Sequence, residues 1–134
     1  MPKTTEEHFK IFKEECEYWL ERYQFGDFDI AFLHANREKK NSGLAWQVAD
    51  HEDKWTLLGL FQNWSGEEPC NEYKIRQLAF HEVNELMVDE LNDLAIERYN
   101  ITKERINGAR HSVINRIDKA FFRQSLKDRG LLCT

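Results

Sequence analysis

A chain of 134 residues that is 41% hydrophobic and 13% aromatic has the apolar content of one folded domain with a real core, and too much of it for a disordered segment. A net charge of −5 without a basic block excludes the electrostatic footprint of a nucleic-acid binder. No apolar run approaches the roughly 20 residues that a membrane helix needs. The first residues, Met1-Pro2-Lys3-Thr4-Thr5-Glu6-Glu7, contain no apolar signal region, so a cytoplasmic protein is expected. Cys16, Cys70 and Cys133 are scattered and include no C-x-x-C pair, which excludes a disulfide framework and a thiolate zinc site.

In chain order, Thr4 with Glu7 predicts a capping box for a first helix. Phe9, Phe12, Cys16, Trp19, Leu20 and Tyr23 then recur at helical spacing, a stripe that reads as core. This helix is expected to run to about Gln24 and stop near Gly26. Residues 28–34 alternate as a strand, and 35–43 are polar and read as a loop. Residues 44–49 and 55–61 read as two further strands, joined as a hairpin by the charged turn at 50–54. Together they predict a small antiparallel three-stranded sheet, with Trp64 in the following loop against its end. A long central helix is expected from Asn71 to about Arg98, broken at Tyr99-Asn100. Thr102 is placed to cap a last helix, weak at Gly108 and firm from Ala109 to Leu126. Its apolar face is Val113, Ile114, Ile117, Ala120 and Phe121, and Gly130 ends it. The order α-β-β-β-α-α is an α+β layout, read as a single domain over 1–134 with its core at about 5–126 and its helices on one side of the sheet.

The chemistry concentrates in Ala79-Phe80-His81-Glu82-Val83-Asn84-Glu85-Leu86-Met87. On a helix His81 and Glu85 stand one turn apart, about 6 Å along the axis, and face the same way. The H-E-x-x-E spacing is close to the H-E-x-x-H zinc helix, and carboxylate oxygen is a normal zinc ligand beside imidazole. Glu82, roughly 100° round from His81, falls inside the apolar arc of Ile75, Leu78, Ala79 and Leu86. A buried carboxylate needs a partner. Two are open to it: a water on a metal, for which Glu82 is the general base, or a cation of the last helix such as Arg110 or Arg116. A catalytic zinc takes three protein ligands. His111, at the edge of the last helix's apolar face, is the expected third; Glu104 is the reserve, and otherwise a first-turn carboxylate stabilised by the helix dipole. A core histidine bonded to a carbonyl or to Glu82 is the structural alternative for His111. His34 stands where a strand end could face the site, whereas His8 and His51 lie in polar settings. Asp89 extends the 81–85 face and reads as a surface carboxylate, or as one that orients a ligand imidazole.

Leu78-Ala79-Phe80-His81-Glu82-Val83, the following Glu85-Leu86-Met87 and the later Arg110-His111-Ser112-Val113-Ile114-Asn115-Arg116-Ile117 resemble the small zincin-like metallopeptidases found in bacteriophage and prophage genomes. In that family the helix reads A-F-H-E-V-x-H-L-L, and a later E-H-x-V-x-R-L segment closes the chain. The resemblance spans roughly residues 16 to 122, counting the Trp55-to-Phe61 strand and the Trp64 loop. It implies a zincin-like minimal metallopeptidase with His81, Glu85 and His111 as ligands of one zinc ion and Glu82 as the catalytic glutamate. Two positions depart from the pattern. Glu85 replaces a histidine, which leaves the zinc-loaded site at a net +1 where three histidines would leave +2, and a less positive site should acidify its bound water less. Arg110 stands where the later segment has an acidic residue.

Three readings of function follow. The first is a zinc-dependent hydrolase, most simply a peptidase acting in the cytoplasm of a phage host, with a peptide or protein substrate held along a sheet edge by β-augmentation. The second is a non-catalytic zincin-fold binding protein of phage origin, its metal structural or absent. The third is an all-structural helical protein in which H-E-x-x-E arises by chance. Two histidines and a carboxylate also suit manganese or iron.

Overall fold

The computed structural model describes residues 3–37, 43–64, 66, 68–99 and 102–131. Among them are four helices and one three-stranded sheet, a mixed α+β fold. The chain divides into two units, Met1–Val83 and Asn84–Thr134, with the boundary inside the long second helix.

The first unit opens with α1, Glu6–Arg22. Its cap is Thr5, one residue later than the expected Thr4–Glu7 box. Thr5 Oγ1 accepts from the His8 N–H at 3.2 Å, and His8 Nδ1 accepts from the Thr5 N–H at 3.0 Å. An imidazole thus fills the place the capping box usually gives to a glutamate. Thr4 is drawn to the sheet instead, its hydroxyl donating to the Phe61 carbonyl at 2.7 Å and its N–H to that of Gln62 at 2.8 Å. At the other end Gln24 takes a left-handed φ of 62°. Its N–H reaches the Glu21 carbonyl and that of Phe25 the Leu20 carbonyl, so a Schellman motif ends the helix two residues before Gly26.

The strands are β1 (Asp29–Ala35), β2 (Ala45–Asp50) and β3 (Trp55–Phe61), in the spatial order β1-β3-β2. The β2–β3 hairpin is antiparallel as expected, but β1 runs parallel to β3, so the sheet is mixed and not antiparallel throughout. Alternation in a sequence shows which residues share a face and is silent on direction. Three strands that reverse in turn leave the first and third co-directional. The sheet becomes mixed once the third takes the middle. β3 earns the middle by its apolar content: Leu58, Leu60 and Phe61 are buried, whereas Asp29, Ile30, Ala31 and Leu33 leave β1 exposed and suited to an edge.

The face carrying Phe32 and His34 meets α1, where the His34 ring stacks on Phe9 with centroids 5.0 Å apart and Lys13 lies over Phe32. On the opposite face the Trp46 ring crosses Gly59 so closely that a Cβ there would sit 2.2 Å from it. The early turns of α2 (Glu72–Tyr99) complete this unit, opened by Asn71, whose side chain accepts from the Lys74 N–H at 2.8 Å. Phe12, Cys16, Trp19, Trp64, Ile75, Ala79 and Phe80 are buried, and the Trp19 and Phe80 rings lie 4.4 Å apart. Each large apolar side chain of this kind contributes about 1.5–3 kcal/mol on burial. Trp64, expected against the end of the sheet, is fully buried and so belongs to the core.

The second unit holds the rest of α2, then α3 (Lys103–Ile117), one π-helical stretch (Asp118–Phe122) and α4 (Arg123–Asp128). The three are one helical run with a wide turn, in place of the uninterrupted last helix expected. Thr102 precedes it without a side-chain cap bond. The extra residue of the π turn rotates everything beyond it. Ile114 is buried as expected, but Phe122 and Leu126 follow it inward while Phe121 is 61% exposed. The side chains of Val113 and Ala120 lie outside the described residues. Gly130, at φ 71°, closes the run with a second Schellman motif, and the Leu131 N–H meets the Leu126 carbonyl at 2.9 Å. Among the described residues no helix is long and apolar enough to cross a membrane.

Candidate metal centre

Along α2 the buried positions Ile75, Arg76, Ala79, Phe80, Glu82, Val83, Asn84 and Leu86 cover more than half of the helix circumference. His81, Glu85 and Asp89 lie in the remaining arc, on three successive turns, and are half-buried. Glu82 stands at the seam between the two, only 5% exposed. Its negative charge reaches Cys16 on α1. Burial pushes that thiol well above its ordinary pKa, and Glu82 and then Glu15 push it further.

Within the second unit, α3 brings a guanidinium and an imidazole to the carboxylates of α2. His111 Nε2 lies 2.9 Å from Glu85 Oε1, and an Arg110 Nη lies 3.7 Å from the same oxygen. The other Arg110 Nη pairs with Asp89. His111 Nδ1 is 3.0 Å from the Asn107 carbonyl, one turn back on its own helix. A carbonyl only accepts, so Nδ1 carries the proton and donates. Nε2 is left facing a carboxylate. Two electron-rich atoms at 2.9 Å require a cation between or on them: a second ring proton, which makes an ion pair, or a metal. A backbone carbonyl that fixes one ring nitrogen while the other is presented is the usual setting of a metal-ligating histidine.

His81 stands one turn before Glu85 on the same continuous helix. One ligand atom each of His81, Glu85 and His111 lies within 4.8 Å of the others, a group that can hold a metal ion. The donor set is right for one: two imidazoles and a carboxylate are normal ligands of zinc and of manganese or iron(II). Donors round a tetrahedral zinc are about 3.3 Å apart, so the group is somewhat wider than a closed site.

The other sequence candidates stand apart from this group. Glu104 is exposed in the first turn of α3, the setting of a solvated dipole-stabilising carboxylate. His34 is engaged by Thr4 and Phe9, His8 caps α1, and His51 meets the Phe28 ring edge-on. Of the two cations considered for Glu82, Arg110 serves Glu85 and Asp89, and the Arg116 side chain lies outside the described residues. Asp89, read from the sequence as a surface carboxylate or one that orients an imidazole, pairs with Arg110. Sequence reasoning missed this double role of Arg110. Its signal was the pair Glu85 and Asp89 at helical spacing, a doublet of carboxylates that a basic residue on a neighbouring helix would neutralise.

No family model matches the chain, and neither does any curated protein or any solved structure.

Proposed function

We propose that the protein is a zinc-dependent hydrolase of peptide bonds, a minimal zincin, with His81, Glu85 and His111 as the ligands and Glu82 as general base. The observation that carries this reading is the His111 ring, held at Nδ1 by the Asn107 carbonyl with Nε2 turned to Glu85, one turn from His81. When bound, such an ion supplies Lewis-acid polarisation of a carbonyl and acidification of water. The chain's own residues supply the rest. Glu82 borders the ligand face from a buried position, within the same helix as two of the ligands, where it would serve as the general base. β1 and β2 are both sheet edges, and either can align an extended peptide by backbone pairing.

A second reading, a zincin-fold binding protein without catalysis, is favoured by one specific feature. Arg110 reaches both Glu85 and Asp89, so a side chain of the protein itself offsets part of their charge. Elemental analysis of the purified protein separates the readings from the purely structural one. About one equivalent of zinc is expected in the wild type, with loss in His81→Ala and in His111→Ala. Absence of zinc after reconstitution of the wild type removes the enzyme reading. Peptide hydrolysis is then compared between the wild type and Glu82→Gln. Hydrolysis abolished with zinc retained supports catalysis by Glu82; a zinc-loaded wild type that cleaves no peptide from a diverse pool supports the binding module.

A further inference from the structure

We infer that Arg110 is a latch that competes with the metal for Glu85, and that Asp89 holds the latch open. The inference rests on the ligand role proposed for Glu85. Glu85, Asp89 and Arg110 all belong to the second unit. The guanidinium has two carboxylates in reach, on consecutive turns of α2. It makes a close ion pair with Asp89, but stays 3.7 Å from Glu85, beyond hydrogen-bond distance. All three side chains are mostly buried: Glu85, Arg110 and Asp89 are 13%, 15% and 16% exposed, so solvent screens their charges weakly.

In that setting two cations cannot share Glu85 without cost. A divalent ion on Glu85 Oε1 meets a full positive charge a few ångströms away, and the repulsion opposes binding. Asp89 limits this twice over. It offsets part of the arginine charge, and it gives the guanidinium a better anchor than Glu85. Without Asp89 the planar fork would be free to engage Glu85 in a two-point pair, the geometry arginine favours with carboxylates. The result is a threshold. An ion has to bind strongly to hold Glu85 against the latch, which favours zinc over weakly held magnesium or calcium.

Zinc affinity, measured by competition with a chromophoric chelator on the full chain, tests the latch. The proteins are the wild type, Arg110→Gln, Asp89→Asn and the double variant, each checked for native circular dichroism. Arg110→Gln keeps a polar stem of similar length without the charge. Arg110→Lys, which keeps the charge and loses the fork, serves if Arg110→Gln does not fold. The expected result is zinc bound about tenfold more tightly by Arg110→Gln, and about tenfold more weakly by Asp89→Asn. Most of the Asp89→Asn effect should vanish in the double variant, because the freed guanidinium causes it. Arg110→Lys should likewise blunt the Asp89→Asn loss. A wild type without measurable affinity and an Arg110→Gln variant with it would also support the latch. Equal or weaker binding by Arg110→Gln would overturn the latch and leave the metal site standing. No zinc on either the wild type or Arg110→Gln would overturn both.

Discussion

Glu15 and Glu85 are helix-borne carboxylates that meet an arginine from another helix, and they do so in opposite ways. Glu15 on α1 has no exposed surface. Each of its oxygens takes a short donor, the Trp19 indole N–H at 2.6 Å and an Arg76 Nη at 2.7 Å. Arg76 turns its remaining edge to Glu72 at 3.0 Å, with Glu14 nearby. Burial alone would lower the Arg76 pKa, but its hydrogen bonds to Glu15 and Glu72 reverse that and leave it raised. Glu85 instead shares one oxygen between His111 and a more distant Arg110, and His111 is half exposed. The first cluster is closed: every strong bond is already made, and an added ion gains nothing. In the second, cations can trade places. A buried carboxylate is therefore a poor sign of a site by itself; the number and length of its bonds distinguish scaffold from chemistry.

Breaking the closed cluster should have the largest effect on stability. Arg76→Ala strands Glu15 as a buried charge, which costs about 3–5 kcal/mol. Urea unfolding of the two proteins measures it as a lower midpoint. A loss of much less than 1 kcal/mol would mean that Glu15 relaxes to water, and the contrast with Glu85 would fail.

His111→Ala sharpens the contrast from the other side. The imidazole is 47% exposed, so although Glu85 is mostly buried their contact opens to solvent on the histidine side and contributes less than about 1 kcal/mol. Its removal should leave the metal-free protein nearly as stable as before, while zinc affinity is lost. A large loss of metal-free stability would make His111 a structural residue and would weaken its role as ligand.

Much of this could be read from the residues. The four-residue spacing of His81 and Glu85 places them together because both lie on one regular helix, and His111 followed from its edge position on the next helix. Thr4 as cap, the antiparallel sheet and the continuous last helix did not survive, and each failed for a non-local reason. Thr4 has a better partner 57 residues away in Phe61. The direction of β1 depends on which strand takes the middle. The π turn shifts the apolar face by one residue, so Phe122 replaces Phe121, although both are phenylalanine and no local preference separates them. The Glu15–Arg76 pair was equally hidden, since Glu15 lies beside an apolar stripe but its partner is 61 residues away on another helix.

His34 offers the smallest and most discriminating comparison, because it is a polar cluster of intermediate depth. The Thr4 hydroxyl spends its proton on the Phe61 carbonyl, so it accepts from His34, which fixes the imidazole proton on Nε2. Protonating the ring keeps this bond and costs desolvation, and the His34 pKa is lowered by burial, with Glu6 opposing and His8 assisting. In the unfolded chain the ring gains its proton near 6.5, and in the folded chain only at lower pH. Above that range the ring is neutral in both states and has no effect. As the pH falls through it, the unfolded chain binds the proton first, so stability drops until the folded value is passed. The urea midpoint of the wild type should therefore fall from about pH 7 to about pH 5 more steeply than that of His34→Gln, whose amide can still donate to Thr4 without titrating. Parallel curves would mean that the ring is as well solvated when folded as when unfolded, and that its stack on Phe9 does not shield it from water.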